Sequence, residues 1–294
     1  MVMMHSRMAS DLAAGDYVGG NGAAEAISYL SDMQTNRETV GDILRVWRQR
    51  RRVSQMSLAN EAEISTRHLS FVESGRSRPS REMLGRLAEP LRMPLRERNR
   101  LFLAGGYAPP HAQQALDGPD MAATKALVEQ ILVAQTPFPA LAVDRRWTLV
   151  LANEALTGLL SGVAAHLLEP PVNVLRLSLS PDGLAPAIVN LAEWRHHLLT
   201  RLLHDADNAG DSALLSLHAD LKALPCPVSS RSPSPPNPVA VPLILRHPAM
   251  EAPLSLLSTT TVFGTATSVA LAELTLECFY PADKATRDAL IGLS

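Results

Sequence analysis

The chain has 294 residues, 46% of them hydrophobic, and a formal net charge of -2, a balance that suits a soluble globular protein long enough for two domains. No apolar run approaches the roughly 18 residues of a membrane span, and the opening MVMMHSRMASDLAAGDYVGG lacks the basic flank and apolar core of a secretory signal. These two features predict a cytoplasmic protein, and Cys226 and Cys278, far apart with no CxxC or paired-histidine spacing, indicate neither a disulfide framework nor a zinc site.

Residues 1–36 carry a net charge of -3, are rich in Gly and Ala, and contain one helical stretch, AAEAISYL; a poorly ordered extension is expected. Residues 37–105 then hold 15 Arg, no Lys and 8 acids, a net of +7, while residues 106–294 carry -6. An arginine-rich block beside an acidic remainder points to a module that faces nucleic acid, although charge alone also fits a solvated surface.

The helical pattern of the basic block decides between these. Val40, Ile43, Leu44 and Trp47 recur at helical spacing and leave arginines on the outer face. Ser54 caps a short second helix with Leu58, Ala59 and Ala62 buried, and small Ala59 lets another helix approach. After a turn at Glu63 and Ile64, Ser65 caps a third helix whose Leu69 and Val72 face inward. Thr66, Arg67, His68 and Ser70 are left at or near the exposed side. Two short helices, a tight turn and an arginine at the start of the second helix make a helix-turn-helix, which inserts that second helix into the major groove.

SQMSLANEAEISTRHLSFVESGRSRPS resembles the XRE/Cro-type repressors, and REMLGRLAEPLRMPLRERNRLFLAGGYAP continues the likeness through a fourth and fifth helix. STRHLSFVESGRSRPSREM followed by PLRERNRLFLAGGYAP resembles the MmyB-like branch, over residues 39–110. The resemblance implies an all-α, five-helix, lambda-repressor-like domain at residues 37–110. It also implies roles: Gln55 bonds phosphate and braces the reading helix, while Thr66, Arg67 and Ser70 meet base edges or nearby phosphates. Arg67 is the candidate for bidentate reading of guanine. His68 either touches phosphate or caps locally, and Arg76 and Arg78, beyond Gly75, grip the backbone. Glu73 and Arg48 match a structural ion pair. Two departures stand out: Glu63 occupies a turn position often held by glycine, and Pro90 should end the fourth helix early or bend it.

Residues 111–123, within the proline-containing YAPPHAQQALDGPDMAA, are expected to be a linker. Beyond them Thr124 to Ala134 has a helical pattern. PFPALAVDRRWTLVLANEALTGLL then predicts a strand, a turn at Asp144 to Arg146, a strand through Trp147, Leu149 and Leu151, and a helix opened by Asn153. IVNLAEWRHHLLTRLLHDAD and SALLSLHADLKAL follow as helices. VAVPLILRH, PLSLLSTTTVFG and VALAELTLECFYPAD follow as strands of an antiparallel sheet, the last alternating Leu274, Leu276, Cys278 and Tyr280 with Glu273, Thr275 and Glu277. PCPVSSRSPSPPNP, residues 225–238, is expected to be a loop.

The hairpin running into a short helix resembles the opening of a PAS domain. FPALAVDRRWTLVLAN, NVLRLSLSPDG, IVNLAEW, TTTVFGT and AELTLECFYPADKAT are similar to the MmyB-like ligand-binding half. That resemblance implies a PAS-like α+β domain at residues 124–294 holding a fatty acid or other lipophilic molecule. Trp147, Leu149, Asn153, Arg176, Trp194 and Phe263 are the expected ligand contacts. Arg176, set among Val174, Leu175, Leu177 and Leu179, is expected near the pocket mouth, facing an acidic head group, with a satisfied structural role as its alternative.

No Walker loop, GxGxxG, GxSxG or HExxH is present. His196 and His197 are adjacent on a helix and point apart, unlike a metal pair. No catalytic residue, metal site or cofactor is therefore expected. The sequence reads as a DNA-binding transcription regulator, a homodimer on an inverted-repeat operator in double-stranded DNA, with a lipophilic ligand. Its alternatives are a constitutive repressor whose C-terminal domain only dimerises, and a small-molecule enzyme that no motif predicts.

Overall fold

The computed structural model describes residues 38–112, 122–160, 162–226, 241–264, 266 and 268–293. The expectations for the N-terminal extension, most of the linker and most of the proline-rich loop lie outside these residues. The chain divides into two compact units.

The first unit is helical: α1 (Val40–Arg50), α2 (Gln55–Glu61), α3 (Thr66–Glu73), α4 (Arg81–Ala88) and α5 (Leu95–Ala104). Each of the first four begins on a hydroxyl that accepts an otherwise unpaired amide of the first turn, from Thr39, Ser54, Ser65 and Ser80 in order. At α1 this is a full capping box with Asp42. The expected stripes converge on one core of Ile43, Leu44, Trp47, Leu58, Ala59, Ala62, Leu69 and Val72, extended by Leu84, Leu87, Leu91, Leu101 and Phe102. Each buried aliphatic side chain there contributes about 1.5–3 kcal/mol relative to exposure. Glu63 adopts φ 54, so the turn takes the left-handed conformation that glycine would supply more cheaply. Helix α4 ends at Ala88, ahead of Pro90, and Arg92 at φ 46 turns the chain toward α5.

The second unit opens with α6 (Ala122–Ala134), then β1 (Ala140–Val143), β2 (Leu149–Ala152) and α7 (Glu154–Leu159). Next come α8 (Val174–Leu179), α9 (Leu191–Ala209) and α10 (Ser212–Ala223). The chain closes with β3 (Leu243–Leu245), β4 (Leu254–Val262), the single turn α11 (Val269–Ala272), β5 (Thr275–Pro281) and α12 (Lys284–Leu293). The five strands form one antiparallel sheet in the order β2-β1-β5-β4-β3. Together with the helical first unit, this gives the expected class, a helix-turn-helix region followed by an α+β domain.

The sheet differs from its sequence reading in one respect that matters for the site. Leu274, Leu276 and Cys278 pack with Ala140, Ala142 and the α6 residues Val128 and Leu132 on one face. The opposite face carries Leu141, Val143, Leu254 and Leu256 against α8, α9 and α10. Both faces are covered, so both phases of β5 are buried at its centre: Glu277 is 4% exposed, whereas Tyr280, in the apolar phase, is 39% exposed near the strand end. The strand expected over VAVPLILRH shrinks to Leu243–Leu245. Trp147 stands before β2 with φ 63, outside the strand in which it was expected. Among the described residues no helix is long and apolar enough to cross a membrane.

Candidate DNA-reading surface and ligand cavity

Helix α3 is held by charge. Glu73, at the end of α3, has a side chain only 3% exposed and receives Arg48 through two bonds, Nε to Oε1 at 2.7 Å and Nη2 to Oε2 at 3.0 Å. Gln55 Nε2 donates to Oε2 at 2.7 Å, and Arg45 donates to the Glu73 carbonyl at 2.7 Å. Burial alone would raise the Glu73 carboxyl, but the Arg48 and Gln55 hydrogen bonds hold it below its usual range. Gly41 makes the approach of α1 possible, because a Cβ there would lie 2.3 Å from the Glu73 carbonyl oxygen. The pair expected between Arg48 and Glu73 is thus present, with the bracing half of the Gln55 role beside it.

This brace leaves one side of α3 to solvent. Thr66 and Arg67 are exposed, and Ser70 is half-buried on the same helix. The Arg67 guanidinium carbon lies 5.4 Å from the Phe71 ring centroid, within cation–π range. His68 is half-buried, with Nε2 3.4 Å from Ser77 Oγ, and its backbone amide donates to the Ser65 cap. Arg76 is exposed beyond Gly75, where φ 72 ends the helix. Arg78 differs from this group: its Nη2 donates to the Gly105 carbonyl at 3.2 Å, which ties it to the end of α5.

In the second unit an apolar cavity opens between the sheet and α7, α8 and α9. Its walls include Leu141, Leu149, Leu175, Leu198 and Leu256, with Trp147 and Trp194 at the sides. About 90 Å³ is open to the centre of a water-sized sphere, where a single water needs roughly 10–15 Å³; a short chain of heavy atoms fits. Trp194 donates its indole N–H to Ser178 Oγ at 3.1 Å. The polar part of the wall is an ion pair. Arg201 on α9 donates from Nη2 to Glu277 Oε1 at 2.5 Å and from Nη1 to Oε2 at 3.1 Å, with its guanidinium carbon 4.5 Å from the Trp147 ring centroid. Nearby, burial pushes the Asp205 carboxyl up, against the charge of Arg201 and a hydrogen bond from Trp147.

Of the six expected contacts, Trp147, Leu149 and Trp194 line the cavity. The other three lie elsewhere. Asn153 is fully engaged in the fold: Oδ1 accepts from the amides of Leu156 and Ala140, and Nδ2 donates to the carbonyls of Leu132 and Phe138. It caps α7 and joins it to β1 and α6. Phe263 packs on the other face of the sheet, with the α6 cluster. Arg176 sits on the outer side of α8, whose Leu175 and Leu179 face inward, and pairs with Asp220 at 2.6 Å on the surface. The charge expected at the mouth is therefore satisfied outside. Arg201 and Glu277 were not among the expected residues. A signal for Arg201 existed, since it shares the stripe Trp194, Leu198, Arg201, Asp205 at helical spacing, where a charge needs a partner. Among the described residues no group of His, Cys, Asp or Glu is arranged to hold a metal ion.

Comparison with known proteins adds two matches. Residues 39–101 match a helix-turn-helix domain family, and residues 125–293 match the MmyB-like transcription regulator ligand binding domain. Among curated proteins none matches. A solved structure described as "Structure of an RNA-binding Light-Oxygen-Voltage Receptor" aligns over 94% of this chain and 67% of its own, at 12% identity and a TM-score of 0.28, a likeness too slight to carry an argument.

Proposed function

Because the chain belongs to the MmyB-like transcription regulators, we propose that its helix-turn-helix reads an operator in double-stranded DNA and that a small lipophilic molecule in the cavity sets how well it does so. The helix-turn-helix and the ligand-binding domain together make it a transcription regulator. The carrying observation is the cavity itself, a space walled by leucines and two tryptophans inside the domain matched as ligand-binding. Arg67, Thr66 and Ser70 form the base-facing set in this reading, and Arg76 holds phosphate.

The proposal includes a homodimer on an inverted repeat. Leu127, Ile131 and Val133 of α6 are exposed apolar side chains that a second copy would cover. Ligand would then act by shifting the population of dimers whose readers match half-sites about one helical turn apart. Native mass spectrometry of the purified chain tests both parts, with a bound lipophile and a dimer mass as the expected result. Operator affinity that is unchanged after solvent extraction of the ligand would instead favour a domain that only dimerises. A fatty acid fits the apolar walls, but its carboxylate would need a free cation, and Arg176 is engaged with Asp220 outside.

A further inference from the structure

The end group of a ligand in an apolar cavity is chosen by the charges on the wall. Among the described residues that line this cavity, Arg201 and Glu277 are the ionisable ones, and they cancel. Arg201 meets both Glu277 oxygens in a fork at 2.5 and 3.1 Å. Glu277 also accepts the Thr260 hydroxyl, at 3.2 and 3.4 Å to its two oxygens. A face of the guanidinium is covered by Trp147. An arriving carboxylate would find its cation already paired and would lie beside the oxygens of another carboxylate, with leucines replacing the water it left.

Two hydroxyls on the same wall offer something different. Ser178 accepts the Trp194 indole N–H, which leaves its own proton to donate. Ser258 also lines the cavity, one step along β4 from the Thr260–Glu277 pair on the same sheet face, and its hydroxyl makes no hydrogen bond among the described residues. We propose that the cavity selects a neutral lipophile ending in a hydroxyl, carbonyl or amide over the corresponding carboxylate, with the Arg201–Glu277 pair as the selector. This rests on the reading of the cavity as the ligand site. The pair does for specificity what an unpaired buried charge would do in reverse: it withholds the cation an acid requires.

The test is a matched series, 1-octanol, octanamide and octanoate, titrated calorimetrically into the solvent-extracted full chain at neutral pH. Octanol and octanamide should bind at least about tenfold more tightly than octanoate, a free-energy difference of about 1.4 kcal/mol. Octanoate binding as well as or better than the neutral pair overturns the proposal while leaving the cavity as a ligand site. No binding by any of the three removes the ligand-site reading and the proposal with it. Glu277→Gln keeps the shape of the wall and frees the Arg201 charge, so octanoate should gain about tenfold while octanol changes by less than about threefold. An unchanged octanoate affinity in a variant with a normal melting curve would show that the pair is not the selector, and if the variant fails to fold, the wild-type series still decides.

Discussion

Each unit buries an arginine–glutamate pair, and the two differ in what surrounds them. Around Arg48–Glu73 every neighbour is structural: Gln55 and Arg45 add hydrogen bonds, and the three short helices α1, α2 and α3 are locked together. Around Arg201–Glu277 one side is an open cavity. The first pair holds a shape and the second borders a space. Identical chemistry thus has different consequences, because a broken pair in a packed core has nothing to relax into, while one beside a cavity can be reached by water or ligand.

The same substitution at both sites tests this. Arg48→Met should cost about 3–5 kcal/mol, since it leaves the Glu73 carboxylate buried and unpaired. Arg201→Met should cost less, about 1–3 kcal/mol, because water in the cavity can solvate Glu277. Hydrogen exchange resolved by peptide assigns each loss to its unit, and equal costs would break the distinction. Acid should separate the units as well. Glu73 titrates below its ordinary value, so its stabilisation is present above the unfolded carboxylate pKa and is lost as pH falls through the folded value. Asp205 is shifted upward by burial, so its contribution has the opposite sign and its unit loses stability as pH rises from the ordinary aspartate value through the raised one.

Smaller effects sharpen the contrast between bracing and reading. Arg67→Ala should lose about 1–3 kcal/mol on the operator and flatten the preference at one base pair per half-site, with little change in melting temperature. Arg76→Ala should weaken all DNA alike and lower the salt slope by about one unit. Equal losses on operator and random DNA for Arg67→Ala would remove it from the base-reading set. The smallest effect is expected at Arg176→Met, where an exposed pair with Asp220 is worth about 0–1 kcal/mol and ligand affinity should not move.

How legible these features were depends on the range of the interaction. The reader is built from neighbours: the caps Ser54 and Ser65, the stripes Leu58–Ala59 and Leu69–Val72, and the strained turn at Glu63 are all set within a few residues, and the structure has each where the spacing put it. Arg48 and Glu73 are 25 residues apart and were assigned by resemblance, since no periodicity links them. In the second domain α6, α7, α9, α10 and the β1–β2 hairpin were local and legible, whereas α8 and α12 were not read as helices and α11, Val269–Ala272, lies in a stretch read as strand. Its site was not legible either. Arg201 and Glu277 are 76 residues apart, and nothing near either residue names the other. Arg176 had the opposite problem: its apolar neighbours suggested burial, but a helix places alternate residues on different sides, and Asp220, 44 residues on, supplied the partner.

The caps of the reader carry a last consequence. Helices α2, α3 and α4 begin on Ser54, Ser65 and Ser80, whereas α10 in the other unit begins on Asp211. For helix stability serine and aspartate are near equivalents, so folding alone does not distinguish them. A polyanion does. At α2 and α3, whose first turns hold no acid, an uncharged cap leaves the positive end of the helix dipole undiminished toward phosphate in the proposed complex, whereas α4 carries Glu82 there; an aspartate cap would set a like charge against the DNA backbone. Ser65→Asp would therefore be silent in a melting curve and audible only when DNA is present.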